Sequence, residues 1–244
     1  MDKKKIVYQL DTPYSVVQWP HVALEHQETI LELLCALLTP LGEYRAEHTQ
    51  PSKGRRDRKR KRRAPSSRPQ DLPPPPIPEI KSYIDVGLSA VTRSLQESAS
   101  RGPDVELSPP PEPRDQGPAS RPYSAIFVAR SGQPTVLNGH LPQMVAAACE
   151  AQQGQAPIRL VGLSKACGDR LSESLGVPRV SCIGLREEAP KSKALVEFTR
   201  RHVPVVEAQW LEEARQGEHK GTNINAVETC IGRKKQPNRG PPKS

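Results

Sequence analysis

The stretch Val86-Gly87-Leu88-Ser89-Ala90-Val91-Thr92-Arg93-Ser94-Leu95 reads as a helix start with two faces. Ile84, Leu88, Val91 and Leu95 recur at helical spacing and bury one stripe. Ser89, Thr92, Arg93 and Gln96 fall on a neighbouring stripe that stays polar. Gly87 lets the backbone at the helix entrance approach another group closely. A helix N-terminus with free N–H groups, small hydroxyls and one cation suits a phosphate. Far along the chain stands Leu175-Gly176-Val177-Pro178-Arg179-Val180. It reads as a turn between a helix and a strand, and it sets Arg179 beside the same entrance.

The second half of the chain carries the fold signal. Ala125–Ala129 is a continuous apolar run, as a strand covered on both faces requires. Leu141 to Glu150 then reads as helix, Ile158 to Leu163 as strand, Lys165 to Leu175 as helix, Val180 to Leu185 as strand and Lys193 to His202 as helix. Val203 to Val206 and Glu207 to Arg215 add a strand and helix, or extend the packing. In the first half, Ile30, Leu34, Leu37 and Leu41 mark an amphipathic helix that begins near Glu25 and is expected to stop at Thr39-Pro40. Such alternation predicts an α/β fold, a three-layer α-β-α sandwich with helices on both faces of the sheet. Two disordered insertions interrupt it. The expected map is 1–47 for the lead-in and first core helix, then 48–78 for a disordered basic and Pro-rich insertion. Residues 79–97 hold the contact helix, 98–122 a disordered Pro-rich insertion, 123–216 the α/β remainder and 217–244 a disordered basic tail.

The 244 residues include 27 prolines and are only 4% aromatic, so one core cannot span the whole chain. The formal net charge of +9 is concentrated in one place. Residues 53–68 hold ten Lys/Arg against one acid, and the rest of the chain balances to zero. Lys53, Arg55, Arg56, Arg58, Lys59, Arg60, Lys61, Arg62 and Arg63 therefore read as a nuclear localisation signal, a non-specific RNA tether or both. Its bland reading is a solubilising linker. The five cysteines show no Cys-x-x-Cys and no regular spacing, which fits a reducing compartment. No apolar run approaches a membrane span, so a soluble intracellular protein without a membrane partner is expected. No metal box or Gly-rich phosphate loop appears, and no cofactor is expected.

Together the two quoted stretches resemble the RNA-binding signature of the kink-turn-binding ribosomal and spliceosomal protein superfamily. Gly87, Thr92 and Arg93 match its helix motif, Gly-x-Asn-Glu-x-Thr-Lys/Arg. Gly176 and Arg179 match its RNA-facing loop, which also contains Val177. Ser89 stands for the Asn and Ala90 for the Glu, so the side chains that read sheared G·A pairs are missing and general RNA docking remains. Within that superfamily the chain resembles the fungal protein subunit of ribonuclease P and RNase MRP. The likeness rests on Trp19-Pro20, the phrase Leu38-Thr39-Pro40-Leu41-Gly42-Glu43-Tyr44-Arg45, Val91-Thr92-Arg93 and the late Pro204…Trp210-Leu211 segment. It covers about 150 to 170 residues in pieces, a normal domain size.

The resemblance implies a non-catalytic, RNA-binding subunit whose particle's RNA performs the cleavage, in tRNA 5′-leader removal and ribosomal RNA processing. Its implied partners are RNase P RNA, RNase MRP RNA, the other protein subunits and a nuclear import receptor. Its implied location is the nucleus and nucleolus. Gly87, Ser89, Thr92, Arg93, Lys165, Gly176, Val177 and Arg179 are the candidate RNA-binding residues. A ribosomal or box C/D-type kink-turn protein is the alternative within the superfamily. From another class comes a serine hydrolase, because Gly162-Leu163-Ser164-Lys165-Ala166 follows a strand and precedes a helix as a nucleophile elbow does. Against it, Ser164 also suits a plain helix cap.

Overall fold

The computed structural model describes residues 4–14, 17–48, 76–100, 121–130, 133–152, 154–217 and 220–230. Residues 17–208 contain the larger of two compact units. Four strands, β2 (Ile84–Val86), β3 (Tyr123–Ala129), β4 (Arg159–Leu163) and β5 (Cys182–Arg186), form a mixed sheet in the order β2-β5-β3-β4. β3 and β4 are parallel, whereas β5 runs antiparallel to both β2 and β3.

Two hydrophobic clusters show why this is a three-layer sandwich. On one face lie α1 (Leu24–His48), α5 (Lys165–Ser174) and α6 (Lys193–His202). They bring Ile30, Leu34, Leu38, Leu171 and Leu195 against Phe127, Val161, Leu163, Ile183 and Leu185. On the other lie α2 (Leu88–Ala99) and α4 (Leu141–Ala151), with the short α3 (Thr135–Asn138) leading into α4. There Val91, Leu95, Leu141 and Val145 meet Ile126, Val128, Leu160 and Cys182. Successive strand residues point to opposite faces, so a strand covered on both sides must be apolar at every position. The α/β sandwich expected from the sequence is the fold observed.

One irregularity places a large side chain. Tyr123 pairs with Arg186 and Ala125 with Leu185, so Ser124 is an extra residue in β3. A bulge of this kind flips the side chains beyond it to the other face. Tyr123 therefore joins the α2/α4 cluster although Ala125, two residues on, belongs to the opposite one. The buried Ser124 hydroxyl donates to the Leu185 carbonyl at 3.1 Å.

Two expectations are corrected. α1 does not stop at Thr39-Pro40 but runs to His48 with Pro40 inside it. A proline there costs about 3 kcal/mol. Leu37, Leu38 and Leu41 are buried on one continuous stripe, each contributing about 1.5–3 kcal/mol, and only a continuing helix keeps them aligned. The Thr39 hydroxyl also donates to the Cys35 carbonyl at 2.8 Å. The contact helix does not start near Ile80: Glu79–Tyr83 is a turn of 3₁₀ helix, Ile84–Val86 is β2, and α2 opens at Leu88. Ile84 is buried as a strand residue on the α1 face, so its match to the helical stripe was coincidental. Of the two readings of Val203–Val206, a strand or extended packing, the second is observed: no strand forms there, and Val203 and Val206 are buried.

The smaller unit falls within 1–16 and 209–244. β1 (Lys4–Asp11) pairs antiparallel with β6 (Asn223–Cys230) from Lys4↔Cys230 to Asp11↔Asn223. Part of the segment expected as a tail is therefore a strand. α7 (Gln209–Arg215) precedes it, and Lys220 pairs with Glu213 at 2.6 Å. The basic tract 53–63 and nearly all of both expected insertions lie outside the described residues. No helix among the described residues is long and apolar enough to cross a membrane.

Candidate nucleic-acid interface

Strand register gathers four chain segments at one end of the sheet. Val86 pairs with Ile183, Val128 with Cys182 and Ala129 with Leu163. The C-terminal ends of β2, β3 and β4 and the start of β5 therefore coincide. From this end depart α2 and α5, and into it runs the turn that carries Arg179.

Gly87 makes the entrance. Its φ of 104° is a conformation that L side chains rarely adopt. Its N–H donates to the Cys182 carbonyl at 2.8 Å, and its carbonyl accepts from Val91 N–H at 3.3 Å. No side chain caps α2, so the first-turn N–H groups have no intrahelical or capping acceptor. Ser89 and Arg93, four residues apart, are both exposed on one helix face. Thr92 is turned inward by comparison, its hydroxyl donating to the Ser89 carbonyl at 3.2 Å.

Arg179 is exposed and lies three residues before Cys182, the acceptor of the Gly87 bond. Lys165 is exposed on the first turn of α5. Gly176 and Val177 do different work. Gly176, at φ 61°, ends α5: its N–H donates to the Glu173 carbonyl and the Val177 N–H to the Ser172 carbonyl, both at 3.0 Å. That is a Schellman stop, with Val177 packed on the core as its hydrophobic contact. The pair lies about 15 Å along α5 from Lys165. Gly87, Ser89 and Arg179 lie on the β2–β5 side of this end and Lys165 at the β4 edge. Arg93 sits further along α2 beside Ser94, whose hydroxyl accepts from Arg186 at 3.3 Å. Gly176 and Val177 form the stop that turns the chain back toward this end.

Arg93, Lys165 and Arg179 have no carboxylate partner among the described residues. Ion pairing does not by itself distinguish this end, since Arg159 and Lys191 toward the other end also lack a carboxylate partner among the described residues. Toward the opposite end, Arg121 pairs with Glu188, Arg200 with Glu187 and Arg186 with Asp85. The last pair belongs to a buried network that sequence reading did not find. Arg186 reaches Asp85 at 2.6 Å and the Arg121 carbonyl at 2.6 Å, and its guanidinium lies 4.8 Å from the Tyr123 ring centroid. The Tyr123 hydroxyl donates to Asp85. Burial, and next that hydrogen bond, push the Tyr123 phenol above its ordinary range. Gly184 makes room for the ring, since a Cβ there would lie 2.6 Å from it. The only sequence signal was a charge in each of two apolar strands, Asp85 and Arg186.

Ser164 is a helix cap. Its backbone is relaxed and extended (φ −69°, ψ 169°), and its hydroxyl accepts from the Cys167 N–H at 3.4 Å. A nucleophile elbow needs a strained turn, and this relaxed, extended residue does not provide one. Cys182, fully buried, has its thiol pushed up to about 12 by desolvation and serves as core. Among the described residues no group of three or more His, Cys, Asp or Glu side chains is placed to hold a metal ion.

Fold and site define a three-layer α/β protein with the uncapped start of α2 and exposed Lys165 and Arg179 at one sheet end. The model of the family described as RNase P subunit Pop3 matches residues 78–213, more than half of the chain, and the chain belongs to that family. The matched region opens just before β2 and includes α2, α5 and the turn with Arg179. No curated protein matches the chain. Members of the family are protein subunits of ribonuclease P, a ribonucleoprotein of tRNA processing.

Proposed function

We propose that this chain is a non-catalytic, RNA-binding subunit of nuclear ribonuclease P and RNase MRP, acting in tRNA 5′-leader removal and ribosomal RNA processing. The observation that carries the reading is membership of the RNase P subunit family over residues 78–213, with the uncapped start of α2 and exposed Arg179 at one sheet end. Arg93, Lys165 and Arg179 have no carboxylate partner among the described residues, so a phosphate meets them without breaking an existing pair. Ser89 and the uncapped first turn of α2 add neutral donors at the same place. With Ser89 and Ala90 in place of Asn and Glu, the rim holds the RNA backbone and does not read G·A pairs. Three phosphate contacts give modest, salt-sensitive affinity, and neighbouring protein subunits supply the remainder. The basic residues 53–63 serve nuclear import and tether RNA non-specifically.

The test is affinity purification of the tagged full chain from native extract, with sequencing of the RNA that accompanies it. The expected result is RNase P RNA and RNase MRP RNA together with their protein subunits. Ribosomal or box C/D RNA in their place, or no RNA at all, overturns the proposal.

A further inference from the structure

Beside the rim lies a cleft of about 560 Å³. Trp19, His21, Gln27, Arg130, Gln133 and Ser164 are among its lining residues, and among the described residues no acidic one lines it. It opens at the C-terminal ends of β3 and β4, next to the first turn of α5 and Lys165. The Arg130 guanidinium lies 5.0 Å from the Trp19 ring centroid. A Cβ built at Gly162 would lie 3.6 Å from the Trp19 ring and 3.7 Å from Arg130 Cδ, so both side chains rest over this bare stretch of β4. Arg130 is exposed and has no carboxylate partner among the described residues. Trp19 is half-buried against the α2/α4 cluster, which fixes its ring.

We infer that this cleft receives one unpaired nucleotide of the bound RNA, its base stacking on the Trp19–Arg130 pair and its phosphate meeting the guanidinium. The inference rests on the proposed RNA-binding role and extends it to a second kind of contact. A planar cation held by an indole presents a stacking surface that tolerates any base. Arg130 and neighbouring Lys165, with no acid among the described lining residues, favour an anionic ligand. The volume falls in the range of small-ligand clefts. Duplex RNA keeps its bases stacked inside, so the cleft selects unpaired residues.

The experiment uses the full chain carrying Trp210→Phe, which leaves Trp19 as its sole tryptophan. An oligouridylate decamer is titrated by Trp19 fluorescence and by direct binding, and a fully paired hairpin RNA is titrated in parallel to report the rim. The decamer should bind and quench Trp19. Arg130→Lys keeps the charge but loses the planar stack, so it should weaken decamer binding about tenfold at an unchanged salt slope. Circular dichroism verifies that this exposed substitution leaves the fold intact. Decamer affinity equal in Arg130→Lys and parent, or decamer binding without quenching, overturns the cleft assignment. Hairpin binding without decamer binding overturns the cleft alone. Failure of both RNAs overturns the RNA-binding role and the cleft together. Quenching by a poly-glutamate decamer and not by oligouridylate assigns the cleft to an acidic protein segment and also overturns it.

Discussion

The Gly87 N–H donates a 2.8 Å hydrogen bond to the carbonyl of Cys182. This bond joins the entrance of α2 to the strand that Arg179 leads into, across nearly a hundred residues of sequence. It requires a residue at φ 104°, and glycine is the one that adopts this conformation without strain. The rim therefore has a rigid base although its cations come from three separate segments.

Gly42 governs how α1 meets α5. A Cβ at this position would lie 2.0 Å from the Ser174 carbonyl oxygen, a backbone atom that cannot step aside alone. Gly42→Ala gains about 1 kcal/mol in helix propensity. Forcing the helices apart costs about 1–3 kcal/mol or more. The clash should win, and urea unfolding should show a lower midpoint for Gly42→Ala. An unchanged or raised midpoint would contradict the packing described.

The Tyr123 phenol gives a pH signature. Its pKa is raised by burial and next by its hydrogen bond to Asp85, which both disfavour ionisation. Above the ordinary tyrosine value of about 10, the unfolded chain releases this proton while the folded chain keeps it. Its contribution is thus complete below about pH 10 and is lost as pH rises further, by up to about 1.4 kcal/mol per pH unit. Stability measured by urea from pH 9 to 11 should fall more steeply for the parent than for Tyr123→Phe. Parallel curves would refute this.

Ser164→Ala separates cap from nucleophile. Loss of the cap should destabilise the protein by about 1 kcal/mol. A fluorophosphonate probe should label neither protein. Covalent labelling of the parent at Ser164 would revive the hydrolase reading.

Much of the fold was legible because its strands are short apolar runs and its helices carry clear stripes. Phe127 and Val128, adjacent and both buried, could only belong to a strand covered on two faces. What was missed depends on tertiary context. Pro40 looked like a stop because local rules cannot weigh Leu41 burial against a missing helix bond. The strand Asn223–Cys230 has its partner more than two hundred residues away, and its polar composition resembles a tail. At the rim, family likeness drew attention to Arg93 and Arg179, and both side chains are exposed. Gly176 was read as an RNA contact, and sequence reading did not find that it also forms the Schellman stop of α5. The Asp85–Arg186–Tyr123 network stayed hidden because a strand sequence does not reveal its neighbours.

The tract outside the described residues has its own prediction. Replacing the nine bases between Lys53 and Arg63 by glutamine removes the positive field that import receptors and RNA recognise. A fluorescent fusion of the full chain should shift from nucleus to cytosol. Unchanged nuclear accumulation would limit the tract to a linker role.

The central claim is most directly tested by the salt dependence of RNA binding to the parent and to Arg93→Glu/Arg179→Glu, with RNase P RNA as ligand. Both positions are exposed and unpaired among the described residues, so circular dichroism should be unchanged. Each phosphate that the protein no longer neutralises should reduce the slope of log K against log salt by about 0.7–0.9, so the slope of the double variant should be shallower by about 1.5. Affinity at 0.1 M salt should fall with it. Equal slopes and affinities for the two correctly folded proteins would contradict the account and remove the RNA from this end of the sheet.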